Sequence, residues 1–355
     1  MIIGMRNKVF AVLDLGSREI IAIAAEWGKN GDYVFKEFLV CPSKGMPNGV
    51  VKDMAQAADS ISNVVSKLSK KVGKKIHEVH VTVSSSSVEL VPSHGMILLS
   101  KYGREILPRD VDKCMRVGAV VRAPSGKESL HRMVREFSVD SSSGIKKPVG
   151  LEGLKMGVTM TVLVIDISVM RNLKKCIALA GYNTGEIVFS GIAASHRSVP
   201  ENSKEDGVCF VNIRGDLTET MIFRQGSLLD CRVLPFGAGK NMLQKEGADP
   251  GGMRELSAIL HSMDGWGEVE TVIISGESEV NEDVFTELCS GTGRDISHGT
   301  CFSRPLEYLP TDRVRYVGCL GILDHIQMAK RSRRGEANPL KWFFSRFISF
   351  MDRYF

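Results

Sequence analysis

Apolar residues run unbroken from Val9 to Leu13 and stop at Asp14-Leu15-Gly16-Ser17. A second apolar stretch, Glu19 to Glu26, and a third, Tyr33 to Val40, follow with Gly28-Lys29-Asn30-Gly31-Asp32 between them. Runs of this length, bounded by turn-forming residues, predict three strands joined by two hairpins. In Asp53 to Leu68 the apolar positions Met54, Ala58, Ile61, Val65 and Leu68 take helical spacing, and His77 to Val83 alternates as a strand. The same strand–turn–strand order recurs in Val208 to Asn212, Gly215, Glu219 to Phe223, the Arg224-Gln225-Gly226 turn, and Ser227 to Leu234. Such an internal repeat predicts a duplicated α/β protein of two lobes facing a cleft.

The halves are separated by a further α/β segment from Ser87 to about Asp166. It contains a predicted helix from Pro108 to Arg122, with Asp110 and Asp112 in its first turn, and strands at Arg135 to Val139 and Met156 to Ile165. Ser84 to Ser87 reads as the hinge into this segment. Beyond it, residues 169–181 read as a helix stopped by Gly181, and Glu186 to Phe189 as a strand. Between Asn241 and Gly267 there is room for one helix, Gly252 to Met263, and loops.

The last sixteen residues carry the strongest amphipathic pattern. On a helical wheel Leu340, Phe343, Phe344, Phe347, Ile348, Phe350, Met351, Tyr354 and Phe355 share one face. Lys341, Ser345, Arg346, Ser349, Asp352 and Arg353 fill the other, with Trp342 out of place. Lys330, Arg331, Arg333 and Arg334, then Gly335 and Pro339, read as a basic linker leading into it. A helix of about 24 Å falls short of the ~30 Å hydrocarbon core, so the pattern predicts a helix lying in a membrane surface. Docking on the chain's own core, or in a partner's groove, is the competing reading.

Charge supports the membrane. The chain of 355 residues has a net charge of +5, and residues 330–355, with seven basic and two acidic side chains, account for all of it. A lipid surface explains basic and aromatic residues together, whereas nucleic acid explains only the charge. The N-terminus passes straight into a strand pattern and predicts no secretory leader, and no run of eighteen apolar residues occurs. Eight cysteines show no CxxC pairing and no zinc spacing, which predicts buried thiols in a reducing cytoplasm. The eight histidines are scattered and read as structural. Lys67, Lys70, Lys71, Lys74 and Lys75 cluster at the end of a predicted helix; a solvated helix end is the first reading, a second membrane or acidic-partner contact the other.

An Asp-x-Gly-Ser turn after a buried strand suits phosphate and metal. The carboxylate of Asp14 would reach Mg²⁺ through water, Gly16 would admit backbone N–H groups to the phosphate, and Ser17 would donate a hydrogen bond. Together with the stretch AVLDLGSREI, the segments Leu130 to Asp140 (LHRMVREFSVD) and Gly144 to Gly153 (GIKKPVGLEG) resemble, in order, the FtsA family of actin-like bacterial cell-division proteins. The resemblance implies a duplicated actin/Hsp70-like (RNase H-like) two-lobe fold with an inserted small α/β subdomain. It divides the chain into 1–86, the first half of lobe one; 87–166, the insert; 167–205, a return to lobe one; 206–240 and 269–328, lobe two; 241–268, a shortened upper subdomain; 329–338, the linker; and 339–355, the membrane-targeting helix.

The family tethers the FtsZ ring to the inner membrane, and the resemblance implies the same role and a location on its cytoplasmic face at the division site. It also implies self-association and contacts between the insert and other division proteins. Leu340, Trp342, Phe343, Phe344, Phe347, Ile348, Phe350 and Met351, with Lys341, Arg346 and Arg353, would bind anionic lipid. ATP and Mg²⁺ would meet Asp14, Gly16, Ser17, Gly215, Thr218, Gly237, Gly239 and Gly276, with Asp14 on the metal.

Three departures bear on the nucleotide. Where the family has D-I-G-G-G-T-T-D, this chain has Asn212-Ile213-Arg214-Gly215-Asp216-Leu217-Thr218-Glu219, losing a carboxylate and a hydroxyl and adding the bulk of Arg214, which could still pair with a phosphate. The family's adenosine loop, T-G-G-G, is Ser275-Gly276-Glu277-Ser278. The interval from Gly237-Ala238-Gly239 to Ser275 is about half what the family uses for the subdomain that covers the adenine and carries the FtsZ tail. Weak or absent ATPase activity is the expectation. Two alternatives stay open: an active ATPase using Asp216 or Glu219 as its second carboxylate, and a pilus-assembly protein of the same fold.

Overall fold

The computed structural model describes residues 8–28, 32–120, 123–238, 251–276, 282–299 and 314–334. The chain begins with β1 (Val9–Leu15), β2 (Glu19–Trp27), β3 (Tyr33–Pro42), α1 (Met54–Val72) and β4 (Glu78–Val83). The inserted part follows as β5 (Glu89–Leu98), β6 (Arg104–Glu105), α2 (Pro108–Ala119), β7 (Lys127–Val139), β8 (Ser142–Ile145), β9 (Glu152–Gly153) and β10 (Lys155–Asp166). Then come α3 (Ile167–Leu179), β11 (Asn183–Phe189), α4 (Ser190–Ser198), α5 (Glu201–Asp206), β12 (Val208–Ile213), β13 (Thr218–Arg224) and β14 (Ser227–Leu234). The remainder is α6 (Gly251–His261), β15 (Thr271–Gly276), α7 (Glu282–Thr292), β16 (Asp295–His298) and α8 (Val317–Arg334).

Two five-stranded sheets repeat one topology. In the first, β11-β4-β1-β2-β3, the meander of β1, β2 and β3 is antiparallel, while β4 and β11 add in parallel beside β1. In the second, β14-β13-β12-β15-β16, the same relations hold about β12. The strands beside the cleft are buried on both faces, which is why β1, β2 and β12 read as continuous apolar runs rather than alternating ones. One hydrophobic core runs through both lobes: Leu13, Ile23 and Val81 of the first sheet join Phe210, Met221 and Leu228 of the second and Leu320, Ile322 and Leu323 of α8. Opening the cleft therefore exposes apolar surface, a cost that resists lobe rotation.

The inserted part has its own sheet, β5-β10-β7-β8, covered on one face by α2, with a separate core of Phe137, Met156, Met160, Val111 and Cys114. Helix α2 starts at Pro108, where the missing N–H costs nothing. Asp110 in its first turn accepts from Leu107 N at 2.9 Å and pairs with Arg104 at 2.6 Å; the Arg104 guanidinium, then the Leu107 N–H, hold its carboxyl down at about 2.

Three sequence expectations differ from the structure. Helix α6, expected in a residual upper subdomain at 241–268, lies on the second sheet and completes its core with Met253, Leu256 and Leu260. Residues 314–328, expected in lobe two, return to lobe one: Cys319 Sγ donates to Ile21 O at 3.2 Å, and Gln327 Nε2 to Asp32 Oδ1 at 2.7 Å. Residues 329–334, expected in a linker, continue α8 to Arg334, so Lys330, Arg331, Arg333 and Arg334 sit on its last turns. The amphipathic helix at 339–355 lies outside the described residues.

Helix α8 crosses α4 closely enough that glycine is obligatory. A Cβ on Gly321 would stand 1.8 Å from Ala193 O, a backbone atom with nowhere to go. Gly321→Ala should thus reverse the usual helix preference for Ala. A gain of about 1 kcal/mol in propensity meets an overpacking cost of about 1–3 kcal/mol or more. A lower urea midpoint is expected, and an unchanged or raised midpoint would contradict the crossing.

Candidate functional site

The cleft between the sheets is where the two strand–turn–strand repeats face each other. Asp14 is the next-to-last residue of the fully buried strand β1 and is only 6 % exposed. Its Oδ1 accepts from Thr82 Oγ1 at 2.7 Å, and the Thr82 hydroxyl in turn accepts from Leu15 N at 3.0 Å. In front of this carboxylate stands Arg214 from the turn between β12 and β13. It donates Nη2 to Asp14 Oδ1 at 2.9 Å, Nη1 to Oδ2 at 3.2 Å, and Nη2 again to Leu15 O at 3.3 Å. The forked guanidinium suits a carboxylate, and the pair is largely withdrawn from water. Arg214 thus pairs with the residue expected to direct a metal.

Every other carboxylate of the second repeat is also taken. Glu219, fully buried, accepts from Asn212 Nδ2 at 2.8 Å and from the hydroxyls of Ser84 and Ser190 across the cleft. Burial pushes its carboxyl up, while Arg214 and the three hydrogen bonds pull it down. Asp216 Oδ2 accepts from Asn48 N at 3.2 Å, in a 3-10 turn of lobe one where Asn48 has φ 51°. Ser198 of α4 donates to Ser275 at 3.3 Å. Apart from the Asn212–Glu219 bond within the second sheet, each of these contacts ties lobe two to lobe one.

The remaining expected site residues serve the backbone. Gly16 leads the first turn, where a Cβ would meet Glu19 O at 2.6 Å, and Ser17 beside it is half-buried. Gly215 is buried in the second turn, and Thr218 Oγ1 donates to Phe236 O at 2.8 Å. A Cβ on Gly237 would lie 2.1 Å from Arg214 O, and one on Gly276 2.1 Å from Ile213 O. Close strand and turn packing explains both glycines without a ligand. Gly239 lies outside the described residues.

One cavity in the cleft, lined by Asp14, Asn212, Arg214, Gly276, Arg315 and Gly318 among others, measures about 20 Å³, room for a water molecule. No group of three or more His, Cys, Asp or Glu side chains is placed to hold a metal among the described residues. Among the described residues, the carboxylates that would direct a metal are bound by Arg214, Asn212, two serines and a backbone N–H, a set that does not fit Mg²⁺.

A second buried pair, missed by sequence reasoning, joins α4 to α8. Arg197 of α4, 2 % exposed, forms an ion pair with Asp324 of α8 and donates to Tyr33 OH at 3.0 Å; Tyr33 OH donates to Asp324 Oδ1 at 3.2 Å. The one available signal was a charged residue inside each of two apolar helices. Two buried histidines are structural acceptors. His80 Nδ1 accepts from Glu186 N and His131 Nε2 from Phe189 N, both at 2.9 Å, and burial lowers them to about 4 and about 3.

Two lobes of one topology around a cleft, with a small α/β unit inserted between β4 and α3, define an actin-like protein. Residues 85–164 match the SHS2 domain inserted in FtsA. The chain is 25 % identical to the cell-division protein FtsA of Pseudomonas aeruginosa over 229 residues, 64 % of this chain and 54 % of that protein. It is 28 % identical to FtsA of Borreliella burgdorferi over 236 residues, 66 % of this chain and 57 % of that one. The chain is FtsA-like, and its match spans little more than half the length of these relatives. Among solved structures, the PilM-PilN type IV pilus biogenesis complex superposes with TM-score 0.59 at 12 % identity, over 93 % of this chain and 99 % of that one. MreB5 of Spiroplasma citri bound to ADP gives 0.50 at 9 % identity, over 92 % and 98 %. At these identities the two share a fold with this chain.

Proposed function

We propose that this chain is a membrane-associated cell-division scaffold of the FtsA type whose lobes are held together by protein contacts in place of a nucleotide. The observation that carries the reading is Arg214 on Asp14: a cation from one lobe neutralises the carboxylate of the other where an actin-type nucleotide site needs that carboxylate for metal. The FtsA-type inserted domain supports a role in division, and the C-terminal basic and aromatic residues support attachment to the cytoplasmic face of the inner membrane. A single amphipathic helix binds marginally, so self-association would multiply the attachment. FtsZ tethering is the family role. No subdomain stands above the second sheet among the described residues, so the inserted domain is the surface left for division partners.

The test is co-sedimentation of the full chain, and of a chain ending at residue 337, with anionic liposomes, with and without Mg-ATP. Binding should require residues 338–355 and be indifferent to nucleotide. Sedimentation of the shortened chain would remove the tail from the reading. Micromolar or tighter Mg-ATP affinity, lost in Asp14→Ala, would overturn the nucleotide-free closure.

A further inference from the structure

Helix α8 starts at the cleft, where a Cβ on Gly318 would lie 2.3 Å from Asp14 Oδ2, and runs antiparallel to β1 toward the far end of lobe one. Gln327 reaches Asp32 at the β2–β3 hairpin there, and about 10 Å of helix follows to Arg334. The chain therefore leaves lobe one toward residues 339–355 at the end opposite the cleft.

Helix α1 ends at that same place. It precedes β4, which lies parallel to β1, and Lys74 Nζ sits 2.6 Å from Glu26, the partner of Val9 at the start of β1. Lys67, Lys70, Lys71, Lys74 and Lys75 are all exposed there. Lys8 and Lys36 join them, pairing with Glu78 at 3.8 Å and Glu26 at 2.9 Å. Glu26 is shared by Lys36 and Lys74, and Glu37 is occupied by Lys71 at 3.5 Å. Lys67, Lys70 and Lys75 have no carboxylate partner among the described residues. Helix α3 also ends at this face, with Lys174 and Lys175 exposed and Leu179 60 % exposed.

We propose that this lysine-rich end of lobe one is a second membrane contact that lies against anionic phospholipid headgroups once the tail has inserted. The inference rests on the membrane attachment proposed above. A solvated helix end explains two lysines near the α1 carbonyls, as the helix dipole favours. It leaves unexplained Lys75 and Lys8 beyond the helix, and the second set on α3. A flat surface of negative charge meets all of them at once, and the exit of α8 puts the tail beside it. Each lysine near such a surface adds modestly, and the contributions multiply because the tail already holds the body there.

The experiment compares the full chain with a Lys67→Gln, Lys70→Gln, Lys75→Gln variant on phosphatidylglycerol-rich and on pure phosphatidylcholine vesicles at about 0.1 M salt. A second variant, Lys101→Gln, Lys113→Gln, Lys155→Gln, removes equal charge from exposed sites on the inserted domain. The first variant should partition onto the anionic vesicles up to about a hundredfold less than the full chain, with a shallower salt dependence, and equally on the neutral ones; the second should match the full chain. Equal losses in both variants, or no loss in the first, overturn this inference while leaving tail attachment standing. Failure of the unaltered full chain to sediment overturns the membrane reading itself.

Discussion

Arg214→Ala should destabilise the folded chain by about 3–5 kcal/mol, read as a fall in the urea midpoint. Asp14 would then be left as a buried carboxylate with the Thr82 hydroxyl as its remaining side-chain donor, and Glu219 would lose the nearby cation that offsets its burial. The pair itself contributes less than its breakage costs, because desolvating two charges consumes much of their attraction. Asp14→Asn with Arg214→Ala should accordingly recover part of the loss, and the two single changes should not add. A single-variant loss under about 1 kcal/mol would mean that the pair behaves as an exposed one.

The second large effect is expected at Asp324. Asp324→Ala removes the carboxylate that pairs with the Arg197 guanidinium, 2 % exposed, inside the α4–α8 contact. Burial pushes the Asp324 carboxyl up, against the pull of Arg197 and Tyr33. A loss of about 3–5 kcal/mol is expected, together with faster amide exchange through α8 than through β12 to β15. Uniform exchange across both lobes, or a loss below about 1 kcal/mol, would show that α8 is not held by this pair.

Much of the frame is legible in the sequence. The β1–β3 and β12–β14 meanders are apolar runs punctuated by turn residues, and these survive any tertiary context. Helix α4 has no such signature: Ser190-Gly191-Ile192-Ala193-Ala194-Ser195 is small rather than periodic, because α8 needs the room. Helix α8 is interrupted by Gly321 for the same reason and by Gly318 where it meets Asp14, and its basic end resembles a linker. The apolar stripe of α6 is readable, but a stripe does not name the sheet it covers. At the site, Asp14 is legible as a carboxylate after a buried strand. Its partner is not, since Arg214 lies 200 positions away and only the folded lobes bring them together.

Eighteen residues of helix, about 27 Å, connect the cleft to the point where the chain leaves lobe one. Its first turn is pressed against Asp14, its middle is pinned by Arg197 and Tyr33, and Gln327 fastens it to the β2–β3 hairpin. Such a helix acts as a strut. On the membrane attachment proposed above, tension applied through the tail would be carried along α8 to the contact that joins the lobes, and the whole body rather than one terminus would resist it.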